Sequence, residues 1–261
     1  MTEGPALTST RNPRVRSAAA LRRKRERTAT GAHLVEGPRA IGEALAAGLV
    51  TEVFAVPDRA TEVALPPGVI LTVVSEHVLA SIADAASPQG LIAVARTPRA
   101  ELADALTGRF VVVLDHVADP GNVGTIVRTA DAAGASGVVI TAGSADPFGP
   151  KAVRSAVGSN YHLPVVAEVD LADLLDRARD EGWTALGLDA GASRSVFDLP
   201  ADEGPVLLML GSEAHGLSEP GALDGTLAIP IAGRAESLNV AAAAAVACFA
   251  LARTLRSGPD L

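Results

Sequence analysis

The fold is decided by residues 110–134, FVVVLDHVADPGNVGTIVRTADAAG, where an apolar run leads into a segment with helical periodicity. The run 110–114 is rich in valine and contains no polar residue, which is typical of a strand buried on both faces of a sheet. Apolar residues then recur at i, i+3, i+4 and i+7 and define one helix face: Val123, Ile126, Val127 and Ala130. Asn122 is the residue expected to cap this helix. The stretch therefore predicts a buried strand followed by a helix that packs on the sheet.

Strand and helix patterns alternate on both sides of this stretch. In residues 1–98 we expect strands at 33–37, 50–56, 69–74 and 91–95, with helices at 38–47 and 76–85. From 109 to 261 we expect strands at 111–114, 137–141, 163–167, 184–188, 206–210 and 227–231, with helices between several of them. A polar segment, 99–108, separates the two regions. The pattern predicts an α/β protein with a small first domain and a second domain built on a mainly parallel sheet.

The composition excludes several classes of protein. Of the 261 residues, 48% are hydrophobic and 20% are charged, which excludes a disordered chain. The single cysteine, Cys248, cannot form an internal disulfide, and five scattered histidines give no metal-ligand spacing. The longest apolar run, 240–252, is shorter than the roughly 18 to 20 residues that a bilayer requires. No signal peptide is visible, so we expect a cytoplasmic protein that needs no membrane and no metal.

Charge is distributed unevenly along the chain. Residues 1–40 carry nine Arg or Lys against three Glu, a formal charge of +6, although the whole chain has a net charge of −8. The concentration of positive charge at one end indicates affinity for a polyanion. A solvated, flexible arm without a dedicated partner is the alternative interpretation of the same residues.

Two further segments combine apolar residues with glycines in places where ligands bind. The first, 207–218, has the sequence LLMLGSEAHGLS, a strand running into a glycine turn. Leu217 occupies the position of the lysine in a phosphate-binding loop, and the glycine spacing of a dinucleotide site is missing, so a nucleotide-dependent enzyme of the doubly wound class is not supported. The second, 229–240, has the sequence IPIAGRAESLNV and precedes an alanine-rich helix that Ser237 or Asn239 caps. That helix is apolar nearly all round, which fits either a subunit interface or complete burial.

Arg128 lies off the apolar stripe of the helix after Asn122. Gly124 precedes it by one turn and would leave room for a group to approach the guanidinium. The alternative is a surface ion pair between Arg128 and Asp131, three residues later, which would contribute little to stability.

Three motifs in this order resemble those of the SpoU (TrmH) family of RNA ribose methyltransferases, within the SPOUT superfamily. They are N-x-G-x-x-x-R-x-A at 122–130, G-S-E-x-x-G at 211–216 and I-P-x-x-G-x-x-x-S-L-N-V at 229–240. In the first domain, LVEGPR at 34–39 and QGLIAV at 89–94 are similar to the family's substrate-binding domain, which is related to a ribosomal RNA-binding protein fold. The resemblance extends from about residue 7 to residue 256, and coincidence of three ordered motifs is improbable.

The resemblance implies a fold, a cofactor and partners. It implies a SPOUT catalytic domain at 109–261 with a trefoil knot, an exception to the rule that chains are unknotted, after an RNA substrate-binding domain at 1–98. It also implies a homodimer whose interface contains the knot and the last helix. S-adenosylmethionine would be contacted by backbone and apolar groups at Leu210, Gly211, Ile229, Ile231 and Leu238. RNA phosphates would be contacted by basic residues near the N-terminus, namely Arg11, Arg14, Arg22, Arg23, Lys24 and Arg25.

The resemblance further implies methyl transfer to a ribose 2′-hydroxyl. Arg128 would assist loss of the proton, with Asn122, Glu213, Ser237 and Asn239 positioning the substrate and the arginine. Because arginine stays protonated in proteins, a cation that holds phosphate and stabilises negative charge on the 2′-oxygen is an equally consistent role. His215 would contact RNA or lie at the surface. The substrate-binding domain favours large-subunit ribosomal RNA; the alternatives are transfer RNA and a non-catalytic RNA-binding protein.

Overall fold

The computed structural model describes residues 6–62, 64–200 and 204–256. They form two compact units, one within Met1–Pro98 and Phe148–Tyr161, the other within Arg99–Pro147 and His162–Leu261. Residues 1–5 of the predicted first domain, and 201–203 and 257–261 of the predicted second, lie outside the described residues. The segment Phe148–Tyr161 was placed by the sequence in the second domain, but it packs with the first unit.

The described helices and strands follow one another in the order expected of an α/β chain. The strands are β1 (Ala32–Glu36), β2 (Val50–Ala55), β3 (Ile70–Val73), β4 (Leu91–Arg96), β5 (Phe110–Leu114), β6 (Gly137–Thr141), β7 (Val165–Val169), β8 (Thr184–Leu188), β9 (Val206–Leu210) and β10 (Gly225–Leu227). The helices are α1 (Pro13–Ala20), α2 (Lys24–Thr30), α3 (Pro38–Ala46), α4 (Glu76–Ile82), α5 (Leu102–Ala105), α6 (Pro120–Ala133), α7 (Pro150–Ala156), α8 (Leu171–Asp180) and α9 (Val240–Arg256).

The first unit is built on a four-stranded sheet with the order β1-β4-β2-β3. Strand β4 is antiparallel to both of its neighbours, and β2 pairs with β3 in parallel. The four strands and two helices predicted between 33 and 95 are confirmed, with the second helix ending earlier, at Ile82. Val153 of α7 is buried in a core shared with Val35 and Val53, which explains why this later segment belongs to the unit.

The basic N-terminal segment forms two helices, so the flexible-arm interpretation is wrong for residues 13–30. Asn12 caps α1, its side chain accepting a hydrogen bond from the Arg14 N–H, and Pro13 occupies the first helical position. Val15 and Leu21 are buried against Ile82 in the core of the unit. Arg27 is buried as well, and its Nη1 donates to the carbonyl oxygens of Leu21 and Arg22, both at 2.8 Å. The segment is therefore a folded surface that carries positive charge.

The second unit contains a six-stranded, entirely parallel sheet with the order β10-β8-β9-β5-β6-β7. Strand β5 is buried along its whole length, and Val111 and Val113 pack in one core with Leu174 of α8. Helices α6 and α9 pack against each other, α6 also against β5 and α9 against β9. The predicted parallel sheet is confirmed. After β5 the chain adds β6 and β7 on one side of that strand, and it then adds β8, β9 and β10 on the other side, where β9 pairs with β5. Such a reversal of strand order opens a crevice at the carboxyl ends of the strands.

Two strands of this sheet differ from the prediction. Strand β7 begins two residues later than expected, at Val165. The strand expected at 227–231 is wrong, because β10 ends at Leu227. Pro230 has no N–H to donate to a neighbouring strand, which disfavours continued pairing. Residues 229–231 therefore leave the sheet and become available to line a site.

No helix among the described residues is long and apolar enough to cross a bilayer.

Candidate active site

A cavity of about 660 Å³ lies at the carboxyl ends of β8 and β9 in the second unit. Its wall is formed by the turn after β9, the segment 229–239 and the start of α9. It contains all five residues predicted to contact the cofactor, namely Leu210, Gly211, Ile229, Ile231 and Leu238. Three of the predicted catalytic residues, Glu213, Ser237 and Asn239, also line it. The second and third motifs thus meet around one cavity.

The turn after β9 is closed by its own backbone. The Ser212 N–H donates to the Gly216 carbonyl at 2.9 Å, and the Gly216 N–H donates back to the Ser212 carbonyl at 2.9 Å. The Ser212 hydroxyl accepts a further bond from the His215 N–H at 3.0 Å. Gly216 has a φ of +70°, a conformation that favours glycine. The turn holds Glu213 and His215 at the cavity, both exposed.

Gly211 is required by the close packing of the turn that follows it. A Cβ at this position would overlap the carbonyl group of Gly216 and the backbone nitrogen of Leu217. The turn folds back onto Gly211, so a side chain would force the turn away from β9.

Hydrogen bonds between side chains join the three motifs. Asn122 Nδ2 donates to Glu213 Oε1 at 2.6 Å, and Asn239 Nδ2 donates to Asn122 Oδ1 at 3.3 Å. Asn239 Oδ1 accepts from the N–H groups of Ala241 and Ala242 at 2.9 and 3.3 Å. Of the two candidate caps for the last helix, Asn239 is therefore the one used. The network leaves Ser237 exposed at the cavity without placing it in a bond of its own.

Helix α6 begins earlier than the sequence suggested, and the prediction that Asn122 caps it is wrong. Asp119 is the cap, and its Oδ1 accepts from the N–H groups of Gly121 and Asn122 at 2.6 and 3.0 Å. Pro120 occupies the first helical position. The predicted apolar face is confirmed, since all four of its residues are buried. Because Asp119 caps the helix, the Asn122 side chain is left to bond Glu213.

Arg128 is exposed on α6 and does not line the cavity. The alternative ion pair with Asp131 is wrong: among the described residues, Asp131 pairs with His162, whose Nδ1 lies 2.8 Å from Asp131 Oδ2, and not with Arg128. Within the described part of the chain, the Arg128 guanidinium has no hydrogen bond and no ion pair. Gly124, one turn earlier, is buried in the helix packing. The arginine is therefore open to a ligand from solvent.

Asp115 was missed by the sequence analysis, although it ends the decisive strand. Its side chain is completely buried, and Oδ2 accepts from the Ser218 N–H at 2.7 Å. Oδ1 accepts from Thr141 Oγ1 at 3.2 Å and lies 2.8 Å from His116 Nδ1. Burial alone would raise the pKa of this carboxyl, but the hydrogen bonds from Ser218 and His116 hold it below its usual value. Asp115 thus fixes the end of the turn to β5. Its only signal in the sequence was an acid directly after a buried strand.

Asp189 is a second residue that the sequence did not single out. It follows β8 and lines the cavity, and its Oδ1 accepts from the Gly191 N–H at 2.8 Å. With Glu213 it places two carboxylates beside the apolar side chains of the same cavity.

The predicted RNA-binding residues are exposed in the first unit, on or beside α1 and α2: Arg11, Arg14, Arg22, Arg23, Lys24 and Arg25. Several of them make contacts within the protein. Arg14 Nε lies 3.5 Å from Glu52 Oε1, and Arg22 Nη1 donates to the Ala83 carbonyl at 3.3 Å. Arg23 Nη2 lies 3.5 Å from Glu26 Oε1. These exposed pairs contribute little to stability and leave the surface positive.

Comparison with known proteins assigns both regions of the chain. Residues 109–249 match the SpoU rRNA Methylase family, and residues 12–93 match the MRM3-like substrate binding domain. The chain is 36% identical over 249 residues to the 23S rRNA (guanosine(2553)-2'-O)-methyltransferase RlmP of Bacillus subtilis, covering 94% of this chain and 98% of that protein. Among solved structures, the AdoMet-bound rRNA methyltransferase from Sinorhizobium meliloti has a TM-score of 0.84 and 31% identity, covering 97% and 99% of the two chains. The SpoU methyltransferase AviRb from Streptomyces viridochromogenes, in complex with AdoMet, has a TM-score of 0.83 and 30% identity, covering 95% and 100%.

Proposed function

The chain belongs to the SpoU rRNA Methylase family, and from that premise we propose that it transfers the methyl group of S-adenosylmethionine to a ribose 2′-hydroxyl of large-subunit ribosomal RNA. The observation that carries this proposal is the pair of hydrogen bonds by which Asn122 links Glu213 to Asn239 beside the cavity. It joins all three motifs of the family at one site. Because every motif residue is present, we set aside a non-catalytic RNA-binding role.

The cavity fits S-adenosylmethionine in size and in chemistry. About 660 Å³ is within the usual range for small-molecule sites. The side chains of Leu210, Ile229 and Leu238 offer apolar surface to the adenine and the methionine chain, and the carboxylates of Asp189 and Glu213 suit the positive charge of the ligand. When bound, the cofactor supplies an electrophilic methyl group. The protein's part is to bind the cofactor and to hold a ribose oxygen in line with that methyl group.

We assign Arg128 the role of a cation that holds phosphate and stabilises negative charge as it develops on the 2′-oxygen. Its guanidinium is exposed and has no acidic partner among the described residues, so its charge is free to act on RNA. Arginine stays protonated in proteins, which favours this role over that of a base. Asn122 and Glu213 orient each other, and Ser237 at the cavity is available to the substrate.

RNA recognition is assigned to the first unit. Its basic residues lie on a folded surface, and its sequence matches a substrate-binding domain. This domain also favours ribosomal RNA over transfer RNA. The Bacillus subtilis relative, which is 36% identical over 94% of this chain, is named as a 23S rRNA methyltransferase.

The proposal extends to a homodimer with a trefoil knot. Helix α9 exposes Phe249, which is 54% accessible, next to alanines that leave a flat apolar face. Burial of this face against a second copy would remove the phenylalanine from water.

Phe249→Lys should therefore give a monomer in light scattering, whereas Ile70→Lys, at an exposed residue of the first unit, should not change the mass. A dimer that withstands Phe249→Lys would contradict this interface.

A cytoplasmic location is part of the same proposal, because ribosomal RNA is modified there. The direct test of the function compares 2′-O-methyl sites in ribosomal and transfer RNA from strains with and without the gene. We expect one site in 23S rRNA to lose its methyl group in the deletion strain. Loss of a site in transfer RNA alone would contradict the proposed substrate.

A further inference from the structure

A second cavity, of about 300 Å³, lies wholly within the first unit. It is formed where the start of α3, the loop before β4 and the end of α7 meet. Its walls are apolar at Pro38, Pro88 and Val157. Its polar groups come from Glu36, Arg39, Ser87, Gln89 and Arg154. Flat proline rings beside hydrogen-bonding groups form a surface suited to a planar, polar-edged ligand.

The inner end of this cavity is formed by a carboxylate whose two oxygens both accept hydrogen bonds from the protein. Glu36 is buried, and its two oxygens accept from the backbone N–H groups of Asp84 at 2.9 Å and Ala85 at 3.2 Å. Arg154 Nη1 donates to Glu36 at 3.2 Å, and Nη2 donates to Asp84 Oδ2 at 2.9 Å. These bonds compensate the buried charge of Glu36. They fix the shape of the cavity and leave ligand binding to its other polar groups.

Those other groups lie at the mouth of the cavity. Arg39, Ser87 and Gln89 are exposed, and none of their side chains bonds another residue in the described part of the chain. A guanidinium binds phosphate oxygens, and an amide both donates to and accepts from the edge of a base. The mouth therefore offers complementary partners for a phosphate and for a base.

The wall residue Val157 is held in a strained conformation. Its φ of +54° and ψ of 31° place a β-branched residue in the left-handed region, where such residues are rare. Strain of this kind persists where the surrounding structure imposes it, which is frequent at binding sites. Here it turns the chain at the end of α7 so that Val157 closes one side of the cavity.

We propose that this cavity binds one unpaired nucleotide of the RNA substrate, with the base between Pro38 and Pro88, its edge bonded by Gln89 and its phosphate bonded by Arg39. The idea rests on the RNA substrate proposed above and adds to it a site for reading sequence. Unpaired nucleotides are the elements through which proteins recognise RNA sequence, because their edges are free to bond. The basic surface of α1 and α2 would supply affinity, and this cavity would supply selection of the site.

The test measures binding of the full-length protein to an unmodified 23S rRNA transcript over a series of salt concentrations. Gln89→Ala should raise Kd about tenfold and leave the salt dependence unchanged, since it removes contacts to a neutral base. Arg39→Ala should raise Kd and reduce the slope of log K against log salt by about one, and Arg39→Lys should keep the slope. Arg179→Ala, which removes an exposed arginine from α8 in the second unit, is the control and should change neither quantity.

Melting temperature and cofactor affinity should match those of the unaltered protein in every variant, because Arg39, Gln89 and Arg179 are all exposed. A Kd for Gln89→Ala within twofold of the unaltered protein would overturn the proposal. So would an equal rise in the Arg179→Ala control. Methyl transfer by the unaltered protein is scored separately: RNA binding that depends on Gln89 without any transfer would contradict the proposed function but support the cavity.

Discussion

The proposed methyl transfer depends on one exposed side chain, that of Arg128. Since it is exposed and forms no bond among the described residues, Arg128→Ala should lower kcat about a hundredfold or more while cofactor affinity and melting temperature stay near those of the unaltered protein. Arg128→Lys keeps the charge but loses the planar fork, so it should also be poor. Single-turnover kinetics with saturating RNA measure the effect, with Arg179→Ala as the control. Near-normal turnover in the alanine variant would show that Arg128 is an ordinary surface residue with no catalytic role.

Gly211 gives a prediction of a different kind, because a side chain there would clash with the backbone of the turn. Gly211→Ala adds a methyl group where the backbone of Gly216 already lies, so the turn must open. Affinity for S-adenosylmethionine should fall by at least about tenfold, as a cavity wall is displaced. Calorimetric titration measures this, and Gly221→Ala is a matched control because a Cβ there meets nothing within 4 Å. Equal affinities in the two variants would mean that the turn does not form the cofactor site.

At the level of single residues, the sequence predicted which residues form the site but not all of their hydrogen-bond partners. Motif spacing was enough to bring Glu213 and Asn239 to one cavity. It could not show that Asn122 bonds Glu213 rather than capping α6, since both roles suit an asparagine at the start of a helix. Asp115 escaped notice because its importance depends on Ser218, a residue 103 positions away.

The link between β5 and the turn after β9 makes a prediction about pH. A folded-state pKa below the usual value means that the Asp115 carboxylate stabilises the fold above about pH 4, and that this contribution is lost as the pH falls through the lower folded-state pKa. Asp115→Asn should therefore lower the free energy of unfolding by about 1 to 3 kcal/mol at pH 7. The difference from the unaltered protein should shrink below about pH 4.

Urea unfolding at a series of pH values tests this, with Asp176→Asn on the exposed face of α8 as the control. A difference that stays constant down to pH 3 would show that the Asp115 charge does not stabilise the fold. Cofactor affinity at pH 7 should fall as well, because Ser218 loses its anchor.

Helices and strands were predictable where one pattern dominated. Uniform apolar runs identified β5, β6 and β9, and the periodicity of α6 identified its buried face. The helices α1 and α2 were missed because arginines and a lysine obscure a weak apolar stripe, although Asn12 and Pro13 are a recognisable helix start. At β10 the error was the opposite one, because an apolar run was taken for a strand. Ile229 and Ile231 are apolar because they line the cavity, and they are not part of the sheet.

At the scale of the whole molecule, RNA affinity should depend on the positive surface of the first unit. Arg11 and Arg25 are exposed and have no side-chain bond among the described residues, so their loss should not disturb folding. The double variant Arg11→Ala/Arg25→Ala should weaken RNA binding and lower the salt slope by about two, with cofactor affinity intact. Arg177→Ala/Arg179→Ala removes the same charge from α8 as a control. Equal effects of the two double variants would mean that only net charge matters.

The division into units was only partly readable from the sequence. The change of composition near residue 98 is local and visible, whereas the packing of α7 with β1 and β2 is a long-range contact. Deleting residues 1–98 would leave Val153 without its core, so point substitutions test RNA recognition more cleanly than truncation does.

The central claim is tested most directly by incubating the purified protein with labelled S-adenosylmethionine and RNA from a strain that lacks the gene, then identifying the labelled nucleoside. The account predicts label in a single 2′-O-methylated nucleoside of 23S rRNA, and loss of that label with Arg128→Ala. Label on a base, label confined to transfer RNA, or full labelling by the Arg128→Ala protein would contradict it.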